Sequence, residues 1–360
     1  MSKELIGALD ALEEEKGISK DLIIEAMESA LESAYKRNYN QAPNVEVDFD
    51  AKKGAFHVYM VRKVVEEVAD ERLEISLDDA LAINKGYELG DHVNKEVTPS
   101  NFGRIAAQTA KQVVMQRVRE AERTSIYNEY NQYQGEIIQG VVQQRDNRFV
   151  YVDLGRVEAV MGRSDQISSE SYQPQDRIKV YVSKVENTTK GPQIYVSRTD
   201  TGIIRRLFEQ EVPEIYDGTV EIVSIAREAG DRTKIAVRSD DANIDPVGTT
   251  VGTRGQRVQA VVDELNGENV DVVKWEENPS DYIANALNPA DVIAVQFDQE
   301  DNPKSCIVIV PDYHLSLAIG KRGQNAKLAA HLTGFKIDIK PESEVEFVDE
   351  TGAEVDEEDL

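Results

Sequence analysis

The residues of this chain best placed to do chemistry lie in two glycine-framed loops. Val251-Gly252-Thr253-Arg254-Gly255-Gln256 is echoed 68 residues on by Ile319-Gly320-Lys321-Arg322-Gly323-Gln324. Each reads apolar residue, Gly, two polar residues of which the second is basic, Gly, Gln. Glycines remove Cβ atoms and let another backbone come close. A helical run begins behind the second glycine of each loop, with Val258, Val261, Val262 and Leu265 on one face of the first and Leu328, Ala329 and Leu332 on one face of the second. The N-terminus of such a helix offers unpaired N–H groups and a partial positive charge. Arg254, Lys321 and Arg322 add full charges, and Thr253, Gln256, Arg257, Asn325 and Lys327 complete the candidate set. The chemistry implied is non-covalent capture of phosphate.

Each helical run stops at a glycine, Gly267 or Gly334, as expected for a helix end in the left-handed conformation. A short alternating strand follows each, Val270–Val273 and Phe335–Ile339. Upstream of the first loop, Thr201–Glu211 reads as helix, closed by Pro213, and Thr219–Ala226 and Thr233–Val237 read as strands around Gly230-Asp231. Upstream of the second, Asp281 is expected to cap a helix running to Leu287, Pro289 to stop it, and two strands to flank Gln299–Pro303. The order helix, strand, strand, loop, helix, strand thus occurs twice. With a GXXG loop in the fourth place, this is the bacterial-type KH arrangement in tandem, a clamp for the backbone of a few single-stranded nucleotides. The bland alternative is two tight turns carrying solvated charges, and the repetition in matching surroundings counts against it.

Residues 135–200 change to β pattern, with strands expected at Glu136–Val142, Phe149–Leu154, Glu158–Met161, Arg177–Lys184 and Gln193–Ser197. Five short strands in such a span predict a small OB-type barrel. Phe149 and Tyr151 fall on one face of their strand, with Arg145 and Arg148 beside them. Exposed, they make a base-stacking platform; turned inward, they are core. The barrel needs Val150 and Val152 inside, which favours the exposed pair. Residues 1–134 read as a helical α/β domain. Two amphipathic helices carry Leu5, Ala8, Leu9 and Leu12, then Leu22, Ile23, Ala26, Met27, Ala30 and Ala34 behind Ser19 as N-cap. Strands around Lys53-Gly54, a short helix at Leu77–Ile83 ending by Gly86, and a long helix over Phe102–Tyr133 follow, the last expected to connect stiffly to the next domain. Its Arg104, Lys111, Arg117, Arg119 and Arg123 face either solvent or an acidic partner.

A length of 360 residues requires several cores. The formal charge of −26 is unlike that of most nucleic-acid binders. The last twenty residues hold ten acids and no Lys or Arg, so the remainder still carries −16. Binding must therefore come from local patches such as His314–Lys327, with three cations and no carboxylate. Affinity from so few contacts is salt-sensitive. Residues 344–360 are expected to be a disordered acidic tail. One cysteine, Cys306, excludes an internal disulfide and sits in a buried-strand pattern. With no apolar run of spanning length and a charged N-terminus, a cytoplasmic chain that meets no membrane is expected. His57, His92, His314 and His331 lack metal spacing, no P-loop is present, and Asp298, Glu300 and Asp301 fall on a hairpin tip. No catalytic residue, metal or cofactor is expected.

The chain is thus a multidomain α+β protein: an N-terminal domain (1–134), an S1-type OB barrel (135–200), two KH domains (201–278 and 279–343) and an acidic tail. In that combination it resembles the NusA family of bacterial transcription factors. The stretches carrying the resemblance are Glu211-Val212-Pro213-Glu214-Ile215-Tyr216-Asp217-Gly218, Arg232-Thr233-Lys234-Ile235-Ala236-Val237, Asp245-Pro246-Val247-Gly248 and Ile319–Asn325. The resemblance implies an RNA polymerase accessory protein. Its N-terminal domain would dock on the core enzyme near the RNA exit channel. Its S1-type and KH domains would bind single-stranded nascent RNA, modulating pausing, intrinsic termination and antitermination. Other antitermination factors are partners by the same token, and a monomer is expected. Two departures stand out: Gly162-Arg163 occupy the place where many S1-type domains carry a His, and only a short acidic stretch follows Lys340, so the acidic repeat domains into which some members continue are not expected. The rival reading is an S1/KH cofactor of ribosome assembly or RNA decay, which would have no use for the N-terminal module.

Overall fold

The computed structural model describes residues 2–39, 44–50, 54–297 and 304–345, with side chains from Ile6 onward. Lys53, the acids Asp298, Glu300 and Asp301, the side chain of Leu5 and the acidic tail beyond Val345 lie outside the described residues. The chain divides into two compact bodies, residues 1–126 and 127–360.

The first body opens with helices α1 (Ser2–Lys16) and α2 (Lys20–Tyr39), strands β1 (Val45–Asp50), β2 (Ala55–Val65) and β3 (Glu74–Ser76), helix α3 (Leu77–Ile83) and strand β4 (His92–Glu96). Helix α4 (Phe102–Asn131) follows. The buried stripe of α2 is Ile23, Met27, Leu31, Ala34 and Tyr35. Leu22, expected on that stripe, is 59% exposed, because the helix turns its Leu31 side to the sheet instead. The alternation of β1 puts Val45, Val47 and Phe49 inside, with Phe49 opposite Phe56 on β2. Glu28 and Glu32 of α2 accept from the Phe49 and Val47 backbone N–H groups at 2.9 and 3.4 Å, covering an edge that would otherwise stand unpaired. Strands β3 and β4, both pairing β2, are too short and too polar to show in the sequence pattern.

The second body begins with five strands, β5 (Ile137–Arg145), β6 (Phe149–Asp153), β7 (Glu158–Gly162), β8 (Arg177–Thr188) and β9 (Gly191–Ser197). They close a barrel in the order β5-β6-β7-β9-β8 around Val142, Val150, Val152, Met161, Val180, Val182 and Ile194. Next come α5 (Thr201–Glu211), α6 (Pro213–Tyr216), β10 (Glu221–Glu228), β11 (Arg232–Arg238), α7 (Pro246–Val251), α8 (Gln256–Glu264) and β12 (Asn269–Lys274). The pattern repeats as α9 (Pro279–Ala286), β13 (Ala294–Phe297), β14 (Ser305–Val310), α10 (Leu315–Ile319), α11 (Gln324–Thr333) and β15 (Lys336–Pro341). In both sheets the middle strand pairs antiparallel with the first and parallel with the last. Two details differ from expectation. The cap of α9 is Asn278, whose side chain accepts from Ser280 N–H, while Asp281 sits in the first turn. After α8 the left-handed step is taken by Asn266 (φ 54°) ahead of Gly267. Cys306 is buried on β14, and desolvation pushes its thiol up to about 11.

The three modules of this body share their interiors. One face of the β10-β11-β12 sheet packs Ile235 and Val237 against Ile203, Leu207, Phe208 and Val261. The other face gives Ala236 and Val273 to a cluster with Tyr282, Ile283, Leu328 and Leu332 of the second repeat. Strand β11 is therefore covered on both sides, and even Lys234 is buried there, donating to Asn288 O at 3.0 Å and pairing with Asp271 at 3.2 Å. The barrel is joined by Arg198, buried with Glu170 at 2.5 Å and also donating to Lys179 O and Glu264 O. Arg227 and Glu268 form a second buried pair, bidentate at 2.8 Å, and Arg227 also reaches Asp200 O. For Glu170 and Glu268 burial alone would raise the carboxyl, but the arginine bonds outweigh it and hold both below the usual range.

Candidate nucleic-acid interface

Each loop is built between two helices. Helix α7 ends at Gly252 (φ 75°, ψ 174°) and α10 at Gly320 (φ 76°, ψ 173°). An N–H from the second glycine closes each turn, Gly255 to Gly252 O and Gly323 to Gly320 O, both at 3.1 Å. The third residue is left-handed in both, Arg254 at φ 54°, ψ 27° and Arg322 at φ 57°, ψ 26°. Gly255 and Gly323 continue left-handed at φ 75° and 76°, ψ 12°. A non-glycine residue in that region costs about 1–2 kcal/mol. That two arginines occupy it to within a few degrees shows that the surroundings impose one path on both loops.

The glycines divide the work. A Cβ on Gly252 would stand 2.7 Å from Arg257 Cγ, and one on Gly320 would stand 2.7 Å from Asn325 Cβ and 2.8 Å from its backbone N. These first glycines are therefore needed to seat the chain's own following helix. A Cβ on Gly255 or Gly323 would meet nothing within 4 Å. The second glycines are the ones that leave room for an outside backbone. Neither Gly255 nor Gly323 brings a side-chain cap; the first N–H of α8, at Gln256, donates to Thr253 O and that of α11, at Gln324, to Lys321 O, so each helix starts directly behind its opening with its positive dipole end.

The sequence-chosen side chains separate accordingly. Thr253, Arg254, Gln256, Lys321 and Arg322 are exposed around the two openings. Arg257 instead donates to Glu214 at 2.9 Å and to Thr249 O at 2.7 Å, tying α8 to α6 and α7. Asn325 is 5% exposed and donates to Leu287 O and Ala318 O, each at 3.0 Å. Both therefore brace the loops from inside, one step in sequence past the surface they were expected to line. Gln324 and Lys327 reach to Glu228 and Asp231 on the β10–β11 hairpin. Helices α7 and α10, absent from the sequence reading, are too short to show periodicity. The second of them carries exposed Leu317 and Ile319 up to the clamp, next to exposed Tyr313.

On the barrel, Val150 and Val152 are fully buried and Phe149 is 37% exposed, as the alternation required. The Phe149 and Tyr151 rings lie 6.3 Å apart on one face. Asp146 shapes the turn before them, accepting from the Arg148 and Phe149 N–H groups at 2.7 Å, and these bonds hold its carboxyl below the usual range. Arg148 is exposed beside the pair, whereas Arg145 lies over the Tyr172 ring at 6.0 Å. A polar cavity of about 440 Å³ adjoins the turn, lined by Arg145, Asn147, Arg163 and Gln166 among others. The sequence reading passed over Gln166, which announces itself by no pattern. Among the described residues no three or more His, Cys, Asp or Glu gather as a metal would require, and no helix is long and apolar enough to cross a membrane.

These loops and this barrel have counterparts in known families. Residues 4–124 match the NusA N-terminal domain, 132–197 the S1 RNA binding domain, and 198–275 and 279–347 the NusA-like first and second KH domains. A solution structure of the N-terminal domain of NusA from Bacillus subtilis covers 34% of this chain and 99% of its own at 63% identity, with a TM-score of 0.32. The transcription termination/antitermination protein NusA of Bacillus subtilis (strain 168) is 61% identical over 344 residues, 96% of this chain and 92% of that one. The protein of the same name from Halalkalibacterium halodurans is 60% identical over 346 residues, 96% of this chain and 90% of that one. At that identity, and with four modules matched in order along one chain, this protein belongs to the NusA family of transcription termination/antitermination proteins.

Proposed function

We propose that the chain is an RNA-binding transcription elongation factor. Residues 1–134 bind RNA polymerase core near the RNA exit channel. The modules at 135–200, 201–278 and 279–343 hold single-stranded nascent RNA, and the outcome is modulation of pausing, intrinsic termination and antitermination. It acts as a cytoplasmic monomer, beside other antitermination factors, and by holding RNA without catalysing any reaction on it. The observation that carries this reading is the pair of loops with one backbone path, each presenting exposed cations and the start of a helix around an open glycine. In it Thr253, Arg254, Gly255, Gln256, Lys321, Arg322 and Gly323 contact phosphate, Arg257 and Asn325 position them, and Phe149, Tyr151 and Arg148 receive bases on the barrel. The match of residues 4–124 to the NusA N-terminal domain supports a polymerase partner over a ribosome-assembly or decay cofactor. The test is a photo-crosslinking map of nascent RNA on a paused elongation complex with the full chain bound. Crosslinks at both clamps, with pause lifetimes altered by the chain, are expected. RNA that never reaches either clamp, or a chain not retained by the core enzyme, refutes the reading.

A further inference from the structure

The two clamps share a backbone but not an electrostatic setting. In the first, Gln256 is exposed and has no side-chain partner among the described residues. One turn on, Gln259 bonds only within its own helix, to Asp263 at 2.8 Å. In the second, the equivalent positions are already occupied. Gln324 Nε2 donates to Glu228 Oε2 at 2.7 Å and to Asp231 Oδ2 at 2.9 Å, and Lys327 Nζ lies 2.7 Å from Glu228 Oε1. The Lys327 and Gln324 bonds hold the Glu228 carboxyl below its usual range, so it is ionised at neutral pH. Lys327 is 61% exposed and Glu228 30%, so the pair sits at the surface, where one anion is readily exchanged for another.

We infer that Glu228 and Asp231 are resident competitors for the second clamp: their carboxylates hold the side chains that an RNA phosphate would use, so that the first clamp engages RNA freely and the second only by displacing them. The inference rests on reading the loops as phosphate clamps. The second loop carries two cations, Lys321 and Arg322, where the first carries Arg254 alone. An acidic hairpin beside it offsets that excess and penalises loose polyanions that cannot also fill the first clamp. A plain structural use of the same contacts, fastening α11 to the first KH domain, is already served elsewhere. Ser224 and Tyr282 hydroxyls both donate to Leu332 O, at 2.6 and 3.0 Å, Lys234 reaches Asn288 O, and a shared apolar cluster closes the joint.

The test is Glu228→Gln with Asp231→Asn in the full chain, binding a mixed-sequence single-stranded RNA oligonucleotide, read by fluorescence anisotropy over a salt series. The substitutions are isosteric and leave the hairpin's backbone bonds in place. Releasing an exposed ion pair should tighten binding about two- to five-fold. The log–log salt slope should steepen by about 0.7, one single-strand phosphate contact. Adding Lys327→Gln should cancel the gain. Unchanged affinity with an unchanged unfolding midpoint overturns the inference, and so does weaker binding with a lowered midpoint, which would make the acids a latch. If the unaltered chain itself binds no RNA, the clamp reading fails first and the inference falls with it.

Discussion

Exchanging one glycine of a clamp for aspartate should weaken RNA binding for a different reason depending on which glycine is chosen. At Gly320 the backbone is at φ 76°, ψ 173°, and a Cβ would lie 2.7–2.8 Å from Asn325. Backbone strain of about 1–3 kcal/mol and overpacking of about 1–3 kcal/mol add to about 2–6 kcal/mol. Gly320→Asp should therefore lower stability and RNA affinity together and say little about phosphate. At Gly323 the backbone is left-handed at ψ 12°, where Asp is among the better-tolerated residues, and the Cβ direction is empty. Gly323→Asp should cost about 1 kcal/mol of stability. Its carboxylate would meet a bound phosphate at about 4 Å, a repulsion between about 1 kcal/mol in water and about 4 kcal/mol at a protein surface. Affinity for single-stranded RNA should fall at least about five-fold. The assay pairs urea unfolding with RNA anisotropy, and Gly255→Asp repeats the comparison in the first loop. RNA affinity unchanged in Gly323→Asp combined with Gly255→Asp, at near-native stability, would refute the assignment of the openings to phosphate.

Three other outcomes follow from the same geometry. Arg198→Ala leaves Glu170 buried between barrel and first KH domain without its counter-ion, with only the Tyr172 hydroxyl and the Asn266 amide still donating to it, so urea unfolding of the second body should lose about 3–5 kcal/mol. Glu170 and Glu268 titrate below the ordinary glutamate value of 4.5; their contribution is complete above it and lost as pH falls through the depressed folded values. An acid titration followed by the single tryptophan, Trp275, should thus show the second body keeping its stability above 4.5 and losing it progressively as pH falls below that value; no loss of stability on acidification would contradict the pairing. Phe149→Ala with Tyr151→Ala should weaken RNA binding by about 1–3 kcal/mol per base stacked while leaving the melting temperature nearly unchanged, because Val150 and Val152 fill the core.

Much of the architecture follows from local pattern. The repeat of two glycine loops 68 residues apart, the alternation of β6 and the uninterrupted run of α4 are written in consecutive residues, because side-chain periodicity and glycine's missing Cβ act within a few positions. The same logic correctly turned Val150 inward and Phe149 outward. It could not tell which glycine serves the chain's own packing and which the ligand, since that depends on Arg257 and Asn325 folding back on the loop. Nor could it separate contact residues from braces. Arg257 meets Glu214 across 43 residues, Asn325 meets Leu287 across 38, and Gln324 and Lys327 meet Glu228 across 96 and 99. Lys234 and Arg198 are charged yet buried where modules join, which nothing local announces, because a partner carboxylate from a distant strand or loop makes burial tolerable. Sequence thus determined which residues bear charge and how each segment bends; only the tertiary structure decided which of those charges are already spent on the protein itself and which stay open to a polyanion, since a charge is paired in space and not along the chain.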